Sequence, residues 1–546
     1  MRDGTRGPVS GVLAGLVVLA ALLAPNDLSR LSHGTFVSIP VEALLAVGVL
    51  LLLPARARSV TAAVLGVALG LLTIVKLADV GFMTALDRPF NPLLDWSLLG
   101  SGLRFVRDSF GLIGAIGAIV GAALVVVAVL IVMTRSVLRL TRMAIWHNVV
   151  AARAVIVLAV VWVTCALPAV QLVPGVRIAG SATSFLLDRA RHVSTDLQDE
   201  EAFAAEAAND AFRDVPDDQL LTGLRGKDVL LAFVESYGRS AIEDPGLSPG
   251  VGSVLDAGER KLAAAGFAAR SAFLTSSTAG GGSWLAHGTL LSGLWIDNNQ
   301  RDHDLVTSDR LTLSRAFQRA GWRTAAVMPG NDLPWPEGAF FGYDKVYNSQ
   351  DLGYQGPKFS WSPMPDQYAL LAYERLVHGT QQRPPTMAEI PLTSSHAPWA
   401  PLPRLVDWRD VGDGAIFDKM SGKGYMPEAI LTRHRSRVRA DYRRSVEYSL
   451  DALISYIQTY GNDNLVVVFL GDHQPSPVVT GQGASRDVPI TIVARDKAVL
   501  DRIADWGWQA GLKPGPDAPV WRMDAFRDRF LTAYGPQAQA QPLGRH

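Results

Sequence analysis

"LVVVFLGDHQPSP", residues 465–477, is a run of apolar β-formers that stops at a glycine, an aspartate and a histidine. Six apolar residues in a row, closed by Gly471 and two prolines, read as a strand buried on both faces. That is the pattern of a mostly parallel sheet covered by helices. Asp472 and His473 then stand at the carboxyl end of a strand, where open α/β sheets bind ligands.

Working outward, "DVLLAFVES" (228–236), "RTAAVMPGN" (323–331), "TMAEIPLTSSHAPW" (386–399) and "DVPITIVARD" (487–496) read as further strands. Helical patterns and Gly/Pro turns separate them, which predicts an α/β domain over residues 226–535 with a mostly parallel central sheet. Glu235 closes the first strand as Asp472–His473 closes the later one. Just past a strand end the chain can turn neighbouring side chains inward, so a Glu and an Asp–His pair at such ends form a three-ligand metal site with oxygen and nitrogen donors. The alternative is an Asp–His hydrogen bond that stabilises a loop.

In "TSSTAGGGSWLAHGTLLSG" (275–293), Gly280, Gly281 and Gly282 precede Ser283 and a helical pattern. Glycines let the backbone approach a ligand, and a helix start offers free N–H groups to an anion. The alternative is an ordinary serine N-cap. A serine hydroxyl needs a base or a metal to become a nucleophile, and Glu235, Asp472 and His473 would supply one ion next to Ser283.

The first third differs. The chain has 546 residues, 49% of them hydrophobic, with Lys+Arg and Asp+Glu both at 51. The balance offers nothing for nucleic acid. Apolar runs at about 8–25, 36–54, 59–78, 111–134 and 152–173 predict about five transmembrane helices within residues 1–175. Arg2 and Arg6, Arg56 and Arg58, and Arg135, Arg139, Arg142 and Arg153 fall in alternate loops. The positive-inside rule then sets the N-terminus in the cytoplasm and the α/β domain outside, making a multi-pass protein of the plasma membrane. Residues 176–225 are expected to be a linker, with the acid-rich 194–218 a connecting helix rather than a core element; residues 536–546 are a tail. The single cysteine, Cys165, excludes a disulfide framework.

These motifs resemble the alkaline-phosphatase/sulfatase superfamily, and within it the lipoteichoic-acid synthase-like membrane phosphoglycerol transferases. "FVESYG", "GGGSWLAHGTLLSG" and "GDHQP" match the segments that hold one divalent ion, which implies Glu235, Ser283, Asp472 and His473 as its ligands. "TSSHAPW" resembles the substrate-contacting histidine segment, implying His396. "MPGNDLPWPEGAFFGYDKVY" resembles the motif in which Asn331 and Trp335 would line the head-group pocket. A basic residue usual after that tryptophan is replaced by Pro336 and Glu337, which leaves the head group open. Both sulfatase marks are missing: Ser283 is followed by Trp284, Leu285, Ala286 and His287, and Glu235 by Ser236.

The resemblance implies transfer of a phosphoglycerol or related group from a membrane phospholipid through a covalent Ser283 intermediate. The acceptor would be a hydroxyl of an envelope polymer or glycolipid, with His396 or a metal-bound group handling the proton. The ion expected is Mn2+, with Mg2+ or Zn2+ as alternatives. A hydrolase on the same site and a catalytically silent binding module are the other readings. Among weaker signals, the arginines of 433–444 read as a solvated face or a phosphate site, Trp361, Trp399 and Trp408 as packing residues or interface contacts, and His287 as a structural or a pocket histidine. Thr278 competes with Ser283 as nucleophile.

Overall fold

The computed structural model describes residues 6–26, 36, 38–92, 94–166, 179–180, 199–359, 361–380, 382–420 and 433–536. Among these the chain divides into two compact units, the second taking up the chain again from Glu200.

The first unit is helical: α1 (Arg6–Leu23), α2 (Val41–Leu52), α3 (Ala55–Leu86), α4 (Trp96–Trp146, with Gly111 non-helical) and α5 (Asn148–Ala166). Each of the five expected apolar runs overlaps one of these helices in its described part. Three segments, Ala55–Leu86, Gly111–Trp146 and Asn148–Cys165, are long and apolar enough to cross a membrane. The run 36–54 yields only the 12 residues of α2. The final residues of the fifth expected run, 167–173, lie outside the described residues. Leu16, Val64, Ile113, Val125 and Val157 are exposed, as lipid-facing residues are.

Polar side chains within this unit find partners. Lys76 Nζ donates to the carbonyls of Ala21, Leu22 and Ala24 at 3.0, 3.1 and 2.9 Å, satisfying the end of α1. Asp79 accepts from Asn26 and from the Phe90 amide. These bonds let α3 continue past residue 78, where the apolar run was expected to end. A Cβ on Gly66 would lie 2.5 Å from Thr134 Cα, so glycine brings α3 and α4 together.

The second unit is built on a nine-stranded mixed sheet. Its strands are β1 (Asp228–Val234), β2 (Ala268–Thr275), β3 (Arg323–Met328), β4 (Lys345–Asn348), β5 (Thr386–Leu392), β6 (Leu465–Gly471), β7 (Asp487–Ala494), β8 (Gln509–Ala510) and β9 (Val520–Arg522). The order is β8-β2-β7-β6-β1-β5-β3-β4, with β9 also on β2. Strands β6, β1, β5, β3 and β4 run parallel, and β7 is antiparallel to both β6 and β2. Strand β2 therefore points the same way as β6, and the carboxyl ends of β1 to β6 lie on one side of the sheet, opposite that of β7.

The sheet is covered on both faces. Leu230, Ala232 and Val234 of β1 join one core, and Val229, Leu231 and Phe233 the other, as strand alternation requires. Helices α6 (Ser248–Ala264) and α9 (Arg435–Tyr460) contribute to the first core. Helices α7 (Ser283–Ser292) and α10 (Ala525–Ala533) contribute to the second, while α8 (Asp366–Tyr373) packs beside α9.

The acid-rich stretch departs from expectation. Residues 199–208 are helical, but they are no mere connector: Phe203 and Ala207 are buried in the second core. Asp210 and Arg527 pair at 2.9 and 3.0 Å with neither side chain exposed. Burial works against the Asp210 carboxylate, yet the Arg527 hydrogen bonds and charge hold it below its ordinary range. The second unit thus begins before residue 226.

Candidate active site

The residues expected at strand ends converge because two strand ends can approach closely. A Cβ on Gly471 would lie 1.8 Å from the Tyr237 carbonyl oxygen, so only glycine permits the β1 and β6 termini to meet. Ser236 takes a positive φ of 57°, with its amide donating to Asp472 Oδ1 at 2.7 Å and its carbonyl accepting from the Tyr442 hydroxyl at 2.8 Å. The His473 amide donates to the same Oδ1. His473 Nδ1 donates to the Gln474 carbonyl at 2.8 Å, which turns Nε2 toward Glu235 and Asp472.

The third contribution comes from β2, which the sequence reading missed. Its loop is tied to the β6 terminus: Ser276 Oγ donates to the Asp472 carbonyl at 2.6 Å and the Gly280 amide to the Gln474 carbonyl at 2.8 Å. Thr278 Oγ1 donates to the Gly281 carbonyl, so it braces the loop. Gly282, at φ 81°, is the N-cap of α7, a left-handed position suited to glycine. Ser283 is the first helical residue and does not cap. Its Oγ donates to Glu235 Oε2 at 3.0 Å and lies 3.2 Å from His473 Nε2.

Glu235, Asp472 and His473 are buried, and one ligand atom from each lies within 4.8 Å of the others. Burial and the Glu235 charge push Asp472 up to about 7. Burial also opposes ionisation of Glu235, but the His473 hydrogen bond and the charges of His396 and His473 hold it well below the carboxylate range. Burial would lower His473, which Asp472 and Glu235 instead push up to about 9. Asp472 Oδ2 is buried with no hydrogen-bond partner among the described residues. Two carboxylates, an imidazole and an orphaned oxygen around one point fit a divalent cation.

A cavity of about 580 Å³ opens from Glu235 and Ser283, and His396, Trp335 and Asn331 all line it. His396 Nδ1 donates to the Ala397 carbonyl at 2.6 Å, and its ring stacks on Trp361 at 4.0 Å. Trp335 packs on Phe341 and Tyr343. Asp302 and Glu337 reach the same cavity, and its lining contains neither lysine nor arginine among the described residues. Burial and the Glu337 charge push Asp302 up to about 6.

Of the weaker signals, Trp399 and Trp408 are core residues, whereas Trp361 forms cavity wall. The arginine run is largely structural: Arg433 and Arg444 pair with Asp441, Arg439 with Asp244, and Arg443 with Glu447. His287 lines the cavity and bonds Glu389 at 2.7 Å. Glu389 was read only as part of a strand. The available signal was a lone carboxylate inside the apolar run "TMAEIPL".

Solved structures to which the chain is similar include the lipoteichoic acid synthase LtaP from Listeria monocytogenes (14% identity, covering 58% of this chain and 74% of that one, TM-score 0.38). The zinc complex of the periplasmic domain of EptC from Escherichia coli is similar at 15% identity, covering 57% and 83%, with TM-score 0.38. The phosphoglycerol transferase GacH from Streptococcus pyogenes, in complex with sn-glycerol-1-phosphate, is similar at 14% identity, covering 62% and 91%, with TM-score 0.35. No curated protein matches the sequence. The sulfatase family model matches residues 268–489, the span from β2 through the Asp472–His473 turn into β7. The matched part of the chain takes in β2, Ser283 and the Asp472–His473 turn, and it is similar to sulfatases.

Proposed function

We propose that the protein is a membrane-embedded transferase that moves a phosphoglycerol or related phospho-alcohol group from a phospholipid, through Ser283, to a hydroxyl of an envelope polymer or glycolipid. The observation that carries this reading is the state of Ser283: it heads α7 without capping it, and its Oγ is turned to Glu235 and His473. A serine used for capping would be spent; this one is available as a nucleophile.

Glu235, Asp472 and His473, with Ser283, are the residues that would hold one divalent ion, Mn2+ by our reading. Such an ion would lower the pKa of the serine hydroxyl and offset charge on the phosphoryl oxygens. The start of α7 turns backbone N–H groups toward the same anion. Ser236 and Gln474 fix Asp472 and His473 in orientation, and the Thr278 bond keeps the glycine loop in register with Ser283. His396, Asn331 and Trp335 contact the substrate in the cavity. A membrane anchor suits a lipid donor, since enzyme and substrate then share one surface. The arginine distribution in the first third supports a cytoplasmic N-terminus and an extracytoplasmic catalytic unit.

The test incubates the detergent-solubilised full chain with labelled phosphatidylglycerol and Mn2+, followed by mass spectrometry of the Ser283 peptide. A phosphoglyceryl adduct plus diacylglycerol, discharged onto an added alcohol, is the expected result. Discharge to water alone makes the protein a hydrolase, and a Ser283 peptide that stays unmodified rejects covalent transfer.

A further inference from the structure

A carboxylate in the middle of a sheet is costly unless it is well partnered. Glu389 is fully buried on the central strand β5. Its Oε1 bonds His287 Nδ1 at 2.7 Å, and its Oε2 accepts from the Tyr343 hydroxyl. The carboxylate accepts, so Nδ1 carries the proton of that bond. His287 lies one turn along α7 from Ser283, with its ring stacked on Phe233 at 3.7 Å and 12°. The Glu389 bond fixes the tautomer and the Phe233 stack the plane of an imidazole that lines the reaction cavity. Its Nε2 has no hydrogen-bond partner among the described residues.

We propose that His287, oriented by Glu389, carries the proton between the two alcohols that exchange on the phosphoryl group. This rests on transfer through Ser283 as proposed above. In the first half, Ser283 Oγ, which enters and leaves the cycle as the alkoxide, bonds to phosphorus and the bond from phosphorus to the donor's alcohol oxygen breaks. That oxygen keeps the electron pair and takes a proton from His287 Nε2. In the second half, the acceptor hydroxyl gives its proton to Nε2 and its oxygen bonds to phosphorus. The phosphorus–Oγ bond breaks, and the pair returns to Oγ. One proton passes from acceptor to donor alcohol, and His287 ends as it began.

His396, another of the histidines that line the cavity, suits this task less well. The Nδ1 partner of His396 is a neutral carbonyl, whereas a carboxylate stabilises the imidazolium that one half of the cycle requires. Glu389 is a positioning residue; His287 touches the reacting oxygens.

The experiment compares two esters of the same glycerophosphoryl group, one with an alkyl leaving group (phosphatidylglycerol) and one with p-nitrophenol, which departs without a proton. Formation of the Ser283 adduct is followed in a single turnover. His287→Asn is expected to slow the alkyl ester by about 10²–10⁴-fold and the p-nitrophenyl ester by less than about tenfold. Glu389→Gln can donate to Nδ1 and so favours the wrong tautomer; it should slow the alkyl ester selectively as well. Melting temperature and bound metal are measured for each variant as folding controls. Equal losses on both esters, or no loss on the alkyl ester, overturn the proposal while leaving transfer through Ser283 intact. A wild-type enzyme that forms no adduct from either ester overturns both.

Discussion

Ser283 Oγ lies 3.0 Å from Glu235 Oε2, although the two residues come from strands separated in the sheet by β6 and β7. The pairing exists because Gly282, rather than Ser283, takes the N-cap position. Ser283→Ala should therefore lower turnover by roughly 10³-fold or more while leaving the melting temperature within a few degrees. Thr278→Ala, which removes a loop brace, should cost about 1 kcal/mol of stability and keep most of the activity. Parallel assays of adduct formation and thermal unfolding check both; an inactive Thr278→Ala beside an active Ser283→Ala would reverse the assignment.

Asp472→Asn is expected to weaken divalent-ion binding by more than about 100-fold. The substitution keeps an oxygen for the Ser236 and His473 amides but removes the charge next to Glu235. Without metal, the variant should be as stable as wild type or more so, because the burial of charge and the repulsion from Glu235 that push Asp472 up are gone. Added Mn2+ should raise the melting temperature of the wild type only. Titration calorimetry and metal analysis provide the readout.

Asp366 is buried, accepting from the Ser394 amide at 2.9 Å and the Ser449 hydroxyl at 2.6 Å, and burial pushes it up to about 6. A carboxyl whose folded pKa is raised favours folding most below its unfolded value near ~4, and that contribution is lost as pH rises through about 6. Stability from this group should thus fall between about pH 4 and 6, by up to about 3 kcal/mol. Asp366→Asn should remove that slope and stabilise the protein at pH 8. A series of denaturation curves across this range tests the sign; a variant with an unchanged slope would refute it.

Arg527→Met should destabilise the second unit by about 3–5 kcal/mol, since it strands the buried Asp210 carboxylate. The double variant with Asp210→Asn should recover part of that loss. Limited proteolysis should show the segment 199–212 cut faster in the single variant. Equal protection in wild type and variant would mean that Phe203 and Ala207 hold the segment unaided.

The strands that could be read in the sequence are those with dense β-branched or aromatic content, such as "LVVVF" and "VPITIV". Strand β2, "AARSAFLT", could not: alanine favours helices, its first residues are partly exposed, and only a short turn at Gly266, φ 84°, separates it from the preceding helix. Missing β2 hid the reason why Ser283 arrives at the same edge as Asp472. The helix at 199–208 was recognisable from its Ala/Glu content, but its burial was not, because one phenylalanine and a distant arginine decide it.

By itself the sequence determined a split between an apolar helical third and an α/β domain, and it named the strand ends that bear Glu235 and Asp472–His473. These are local properties, since hydrophobic periodicity and turn residues act over a few positions. Only the tertiary structure decided that Ser283 is free of capping, that Asp472 Oδ2 is left without a partner among the described residues, and that Glu389 reaches across to His287. Each of these depends on strand order and register, which bring together side chains whose separation in sequence carries no trace of their distance in space.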